Sequence, residues 1–154
     1  MTFEAPNGTR GARQPRSGPV MRWMTKLMTR RVRRTGRGPG FNALVLTTIG
    51  RKTGVTRETP VGWFPGADGS YLIVASAAGA PNNPAWFLNL AAHPDQVQIE
   101  IGDGRKTPVT AQQLHGAERD DAWRQITTAA PRFAGYESKT DRQMPVIRLV
   151  PKPN

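Results

Sequence analysis

Ala43-Leu-Val-Leu-Thr-Thr-Ile-Gly-Arg-Lys-Thr-Gly-Val-Thr-Arg57 is the stretch from which the fold can be read. An apolar, β-branched run leads into Gly50, two cations and Gly54, and a second β-branched run carries a third cation, Arg57. Two such runs around a glycine-bounded tip predict a tight hairpin with Arg51 and Lys52 at its end. Glycine tolerates positive φ and lets backbone N–H groups converge, and the two side chains add full positive charge. An anion, phosphate or carboxylate, fits such a tip. The plainer alternative is a solvated basic turn.

Downstream of the hairpin the chain keeps its β character. Strands are expected over 41–48 and 55–64, and a Gly66-Ala-Asp-Gly69 turn leads to a third over 70–76. Gln96-Val-Gln-Ile-Glu-Ile101 alternates polar and apolar residues without interruption, which predicts a half-buried strand. Asp103-Gly104 turns the chain into a strand over 105–114, and 144–150 is a final strand closed by Pro151. Two helices interrupt the sheet. One spans 85–92, with Asn83 as expected N-cap and Pro84 at the first helical position, and stops near Pro94. The other spans 117–129 and opens with Glu118, Asp120 and Asp121, where the helix dipole favours acids. Six strands joined mainly by hairpins predict an α+β, mainly β fold, an antiparallel barrel with helical insertions. Without a long βαβ alternation, a Rossmann sheet is not expected.

Upstream the composition changes. Of the 22 Lys and Arg, ten precede residue 41, against Glu4 alone among the acids, so nine of the eleven net positive charges lie there. Residues 1–19 hold Gly, Pro, Ser and Arg with little to bury and are expected to form a disordered basic tail. Residues 20–40 form a basic amphipathic helix and a Gly/Pro linker. Val20, Met24 and Leu27, with Met21 and Met28, recur at helical spacing beside Trp23, and Arg22, Lys26 and Arg30 recur on another side. That helix either packs on its own domain, closes over a site, or lies on an anionic membrane surface through residues 20–32. Residues 41–154 are the folded domain, with a nearly balanced charge that offers no extended basic face, so nucleic acid is not an expected partner.

Catalytic motifs are sparse. The chain has no cysteine, only two histidines (His93 and His115), no Gly-x-Ser-x-Gly elbow and no metal-ligand spacing. Chemistry would therefore come from a cofactor that the protein binds and orients. Arg51, Lys52 and Arg57 suit its anionic groups. Ser76, in the small-residue run Val74-Ala-Ser-Ala-Ala-Gly79, sits where a planar ligand could approach the backbone. Trp86, Phe87 and Asn89 follow on a helix, as an aromatic wall with an amide or as plain core. Tyr136, in a loop before the last strand, could donate a proton, cover a pocket or simply pack.

Four segments in order, Leu46-Thr-Thr-Ile-Gly-Arg-Lys-Thr-Gly54 with Arg57, Val74–Gly79, Asn83-Pro-Ala-Trp-Phe-Leu-Asn-Leu90 with His93-Pro94, and Tyr136 to Asp141-Arg142, resemble the deazaflavin-dependent nitroreductase family. The resemblance runs from about residue 21 to 150. It implies a split β-barrel of the FMN-binding type and coenzyme F420 (an 8-hydroxy-5-deazaflavin) as cofactor. It further implies hydride transfer from the reduced coenzyme to a quinone-like or nitroaromatic acceptor, in the cytoplasm or at the inner face of the cell membrane. By position, Thr48, Gly50, Arg51, Lys52, Thr53 and Arg57 would hold the coenzyme's phosphate and polyglutamate tail. Ala75, Ser76, Ala77, Ala78 and Gly79, with Ala85, Trp86, Phe87 and Asn89, would line the deazaflavin. Tyr136 and Ser76 would polarise or protonate the acceptor. Ala77 stands where members often carry Lys, and Phe133 and Lys139 where others have Tyr or Trp. Within the same fold, an FMN- or haem-binding barrel is the alternative. From a different class, so is a basic membrane or nucleic-acid adaptor acting through the arm. The oligomeric state is left open.

Overall fold

The computed structural model describes residues 3, 6–11, 18–38, 40–76 and 83–153. Helix α1 (Pro19–Thr35) is followed by β1 (Arg37–Gly38), β2 (Phe41–Ile49), β3 (Thr56–Gly62), β4 (Phe64–Pro65) and β5 (Tyr71–Val74). Helix α2 (Ala85–Ala92), strands β6 (Val97–Glu100) and β7 (Thr107–Gln113), helices α3 (Gly116–Ala129) and α4 (Arg132–Lys139), and β8 (Val146–Pro151) complete the described chain. The sheet runs β1-β2-β6-β7-β8-β5-β4, with β3 on β2, and every pair is antiparallel. It curls into a half-barrel, as the hairpin-rich sequence predicts.

Strand β2 organises it. Its register with β3 runs from Ala43 opposite Gly62 to Ile49 opposite Thr56, so the predicted hairpin forms with residues 50–55 as its tip. Consecutive side chains of a strand point to opposite faces. Leu44 and Leu46 enter a core with Ile73, Phe87, Leu90, Ile99, Ile147 and Leu149, while Ala43 and Val45 meet Val32 of α1. Both faces of β2 are thus covered, which is why its sequence is a continuous apolar run. Each fully buried Leu or Ile contributes about 1.5–3 kcal/mol relative to exposure. A second core joins Leu72, Val74 and Val146 of the sheet to Ile126 of α3 and Phe133 of α4.

The six expected strands are present, with two-residue β1 and β4 in addition. The strand expected over 55–64 divides at Trp63, whose N–H donates to Asn42 O (3.1 Å), and Phe64–Pro65 then pairs with β5. Pro84, not Asn83, occupies the N-cap of α2, and its first residue is Ala85. Asn83 is engaged elsewhere: its Oδ1 accepts from Arg142 Nη1 (2.7 Å). The segment around Tyr136, read as a loop, is helix α4.

Described residues of the arm contact the body. Phe3 packs edge-on to Phe87 (6.2 Å between centroids), the N–H of Thr9 donates to Asp141 Oδ1 (2.8 Å), and Thr140 Oγ1 donates to Arg10 O (2.6 Å). Hydrogen bonds from Thr9 hold the Asp141 carboxyl at a pKa of about 2. Helix α1 also presents its stripe outward. Thr29 and Val32 are buried, whereas Val20, Trp23 and Met24 are 68%, 61% and 54% exposed. Gly36 ends the helix at φ +68°, with its N–H on Val32 O (2.8 Å).

Candidate functional site

The tip of the β2–β3 hairpin is a closed turn. Gly50 N–H donates to Val55 O and Gly54 N–H to Gly50 O, both at 2.8 Å. Gly54 sits at φ +71°, and a Cβ on Gly50 would come within 2.8 Å of Thr53 Oγ1. Gly54 is therefore favoured by its backbone angle, and Gly50 by the close approach of Thr53 Oγ1 and of Val55 O (3.1 Å). The tip is tied to α2 by one bond, from Arg51 N–H to Asn89 Oδ1 (3.1 Å). Between them lies a cleft of about 470 Å³, lined by Gly50, Arg51, Lys52, Thr53 and Arg57 on one side and Ala85, Trp86 and Asn89 on the other, with Glu58 and Thr59.

The electrostatics favour an anion. Arg51, Lys52 and Arg57 are exposed, and none belongs to an ion pair among the described residues. Glu58 would oppose an anion, but its carboxylate is paired with the Arg33 guanidinium. Arg33 also reaches Glu100 (3.1 Å), and the bond to Glu100 raises its already high pKa. Thr48, opposite Arg57 in the register, has a buried Oγ1 with no hydrogen-bond partner. Thr48 is 1% exposed and is not among the residues that line the cleft.

The start of the small-residue run is tied to Asn83 by one side chain to which the sequence assigned no role. Arg142 Nη1 donates to Ala75 O (2.8 Å) and to Asn83 Oδ1 (2.7 Å), and its Nη2 to Ser76 O (2.7 Å). The residue is only 3% exposed, and burial lowers its pKa, yet a guanidinium stays charged in a protein. Ala77, Ala78 and Gly79, expected to line the ring, lie outside the described residues. Ala75 and Phe87 are buried in the core behind the cleft, and Ser76 is half-buried beside Arg142. Tyr136 lies on α4, edge-on to Phe133 (5.6 Å) with Lys139 Nζ 5.8 Å from its ring, and is not among the residues lining the hairpin cleft. Of the predicted site, the fold gathers the three cations, Gly50, Thr53, Ala85, Trp86 and Asn89. Arg142 stood in the fourth of the family-like segments, Tyr136 to Asp141-Arg142, without a role of its own.

A family model described as F420H(2)-dependent quinone reductase matches residues 14–151. The chain belongs to this family. It is 38% identical over 110 residues, 70% of this chain and 72% of the other, to an F420H(2)-dependent quinone reductase of Mycobacterium tuberculosis (strain ATCC 25618 / H37Rv). A solved F420-H2 dependent reductase superposes with a TM-score of 0.61 at 34% identity, over 73% of this chain and 99% of that one. A haem storage protein from Vibrio cholerae shares the fold alone, with a TM-score of 0.53 at 16% identity over 73% and 82% of the two chains. As a member of the quinone reductase family the chain is an oxidoreductase, and its cofactor is coenzyme F420. The residues present fit that group: unpaired cations for its acidic part, and Trp86 beside small Ala85 for its ring.

Proposed function

We propose that this chain reduces a quinone-like or nitroaromatic acceptor by two electrons, at the expense of reduced F420 bound between the β2–β3 hairpin and α2. The observation that carries the reading is the cleft in which three unpaired cations face Trp86 and Asn89. When bound, reduced F420 supplies a hydride. The work of the chain is to hold and orient. Arg51, Lys52 and Arg57 fix the phosphate and the carboxylates next to it, because charge-assisted bonds from a rigid tip fix orientation as well as adding affinity. Asn89, through Arg51 N–H, sets the distance between that anchor and the wall made by Trp86. Arg142 ties to Asn83 the start of the small-residue loop over which the ring would lie. With the hydride, a quinone needs one proton to become a quinol, and Ser76 Oγ or Tyr136 Oη would give it to the acceptor. Proximity and orientation supply most of the rate.

Titrating the protein with oxidised F420 while following the ligand's fluorescence tests this directly. Binding is expected at micromolar concentration, and its absence would overturn the assignment. The Arg51→Ala/Lys52→Ala double variant should bind about 10- to 100-fold more weakly at low salt. The deficit should shrink as salt approaches about 1 M, where exposed charges are screened. A deficit independent of salt would remove the electrostatic role of the tip.

We also infer that the protein works at the inner face of the cell membrane through residues 20–32. Exposed Val20, Trp23, Met24 and Leu27 lie on the side of α1 away from the sheet, with Arg30, Arg31 and Arg34 around them. An apolar stripe bordered by cations suits the headgroup region of an anionic bilayer. No helix among the described residues is long and apolar enough to cross one.

A further inference from the structure

Four described residues of the arm, Asn7-Gly8-Thr9-Arg10, lie against Thr140-Asp141-Arg142 and Asn83, with hydrogen bonds running in both directions. Thr9 meets Asp141 twice. Its N–H donates to Oδ1 (2.8 Å) and its hydroxyl to Oδ2, and Arg10 N–H adds a third bond to Oδ1 (3.3 Å). Bonds to a carboxylate are charge-assisted and stronger than neutral ones. Thr140 acts as a relay: its Oγ1 accepts from Arg142 N–H (3.1 Å) and donates to Arg10 O (2.6 Å). Gly8 lets the two backbones close up, since a Cβ there would come within 2.5 Å of Asp141 Oδ1 and 3.0 Å of Arg142 Cβ.

These contacts converge on the clamp beside the small-residue run. Asn7 Oδ1 accepts from the N–H of Asn83 (3.2 Å) and from its Nδ2 (3.4 Å), while Asn83 Oδ1 accepts from Arg142 Nη1 (2.7 Å). Both ends of the Asn83 amide are therefore held, one by the arm and one by Arg142. Asn83 immediately precedes the N-cap of α2, the helix that brings Ala85, Trp86 and Asn89 to the cleft, and Arg142 fixes Ala75 O and Ser76 O. The arm thus braces the two sides between which a ring would lie. Phe3, edge-on to Phe87, adds an apolar contact on the same helix.

We propose that residues 7–10 form a strap in which Asn7 and Thr9 act as positioning residues for the coenzyme. Docked on Asn83 and Asp141, they hold the Ser76 end of the small-residue run and the start of α2 at the spacing the ring needs. This rests on the F420 reading above and adds to that site a support from a remote part of the chain. Holding both sides before the ligand arrives lowers the ordering cost of binding, which is how groups that never touch a ligand raise its affinity. The strap carries no part of the anion site, so its effect should not depend on salt.

The test uses the full chain and three variants, Gly8→Val, Thr9→Val and Thr9→Ser. Gly8→Val should push the strap off Asp141 without altering the body. Hydrogen exchange at Asn83 N–H, which then loses the Asn7 acceptor, should speed up about tenfold or more. Oxidised F420, followed by its fluorescence, should bind Gly8→Val and Thr9→Val about three- to tenfold more weakly. The thermal midpoint should stay within about 3 °C of native. The deficit should be the same at about 1 M salt, unlike that of the hairpin-tip double variant. Thr9→Ser, which keeps the hydroxyl, should bind within about twofold of native. Native affinity in Gly8→Val overturns the proposal, whether or not Asn83 exchanges faster. So does weak binding with Asn83 exchange unchanged, a deficit that salt removes, or a Thr9→Ser variant as weak as Thr9→Val. A midpoint that falls in step with affinity makes the arm a general brace and overturns it as well. None of these outcomes touches the F420 reading, which fails if the native chain binds no F420, and the positioning role then fails with it.

Discussion

Arg142 does more than any other single side chain to shape the site. It satisfies Ala75 O, Ser76 O and Asn83 Oδ1 from one planar group, tying the start of the small-residue run to Asn83. Replacing it with Met would leave those acceptors without that donor, in a region where Ala75 and Asn83 are buried. The expected cost is about 2–4 kcal/mol, read from the urea midpoint, because each acceptor loses a charged donor without regaining water. Arg142→Lys keeps the charge but cannot span three acceptors in one plane, so it should fall between Met and the native residue. Coenzyme affinity should fall in the same order. If the Met variant were as stable as the native chain, the clamp would be an incidental contact. The segment Tyr136 to Asp141-Arg142 singles the residue out but not its role, because its partners are 59 to 67 residues away. Asn83 was misread for the same reason: an Asn-Pro pair before a helix looks like a cap, while its side chain serves a distant guanidinium.

At the scale of elements, strands and hairpins were legible because their signals are local. Alternation marks β6, β-branched runs mark β2 and β3, and glycines mark the tip between them. Helix α4 was hidden by Pro131 and Gly135, both of which read as breakers, although Pro131 only precedes its first turn. For α1, periodicity established the helix but not which side faces inward. The sheet beneath it presents Thr47, Glu58, Gln98 and Glu100, so the polar side of the helix turned in and the apolar side out. The hairpin and α2 form one unit through a single exposed bond, Arg51 N–H to Asn89 Oδ1. Asn89→Leu should therefore cost less than about 1 kcal/mol of global stability. It should weaken F420 binding by several-fold, since the tip loses its fixed distance from Trp86. Hydrogen exchange would report faster opening at Arg51 N–H. Unchanged exchange and affinity would mean that the turn's own hydrogen bonds suffice to hold it.

For the whole molecule, the question is where an enzyme with an outward apolar helix meets its acceptor. One face of β2 is buried in the core of the half-barrel and the other lies under α1, which contributes Met28 and Val32 there and little further apolar area to the body. Its exposed Val20, Trp23, Met24 and Leu27 would cost solubility if nothing covered them, and the net charge of +11 is concentrated around them. A bilayer with anionic headgroups satisfies both features, and a quinone-like acceptor partitions into the same phase. Sedimentation with vesicles of mixed anionic and neutral lipid should therefore carry the protein down at low salt. Purely neutral vesicles should carry less, since each cation near an anionic surface adds about 1 kcal/mol. Trp23→Ala/Leu27→Ala should reduce binding to the anionic vesicles by about tenfold or more, from lost apolar burial alone. Reduction of a water-soluble acceptor by that variant should stay at the native rate, because neither residue lines the hairpin cleft. If neither kind of vesicle retains the native chain, the stripe is not a membrane face.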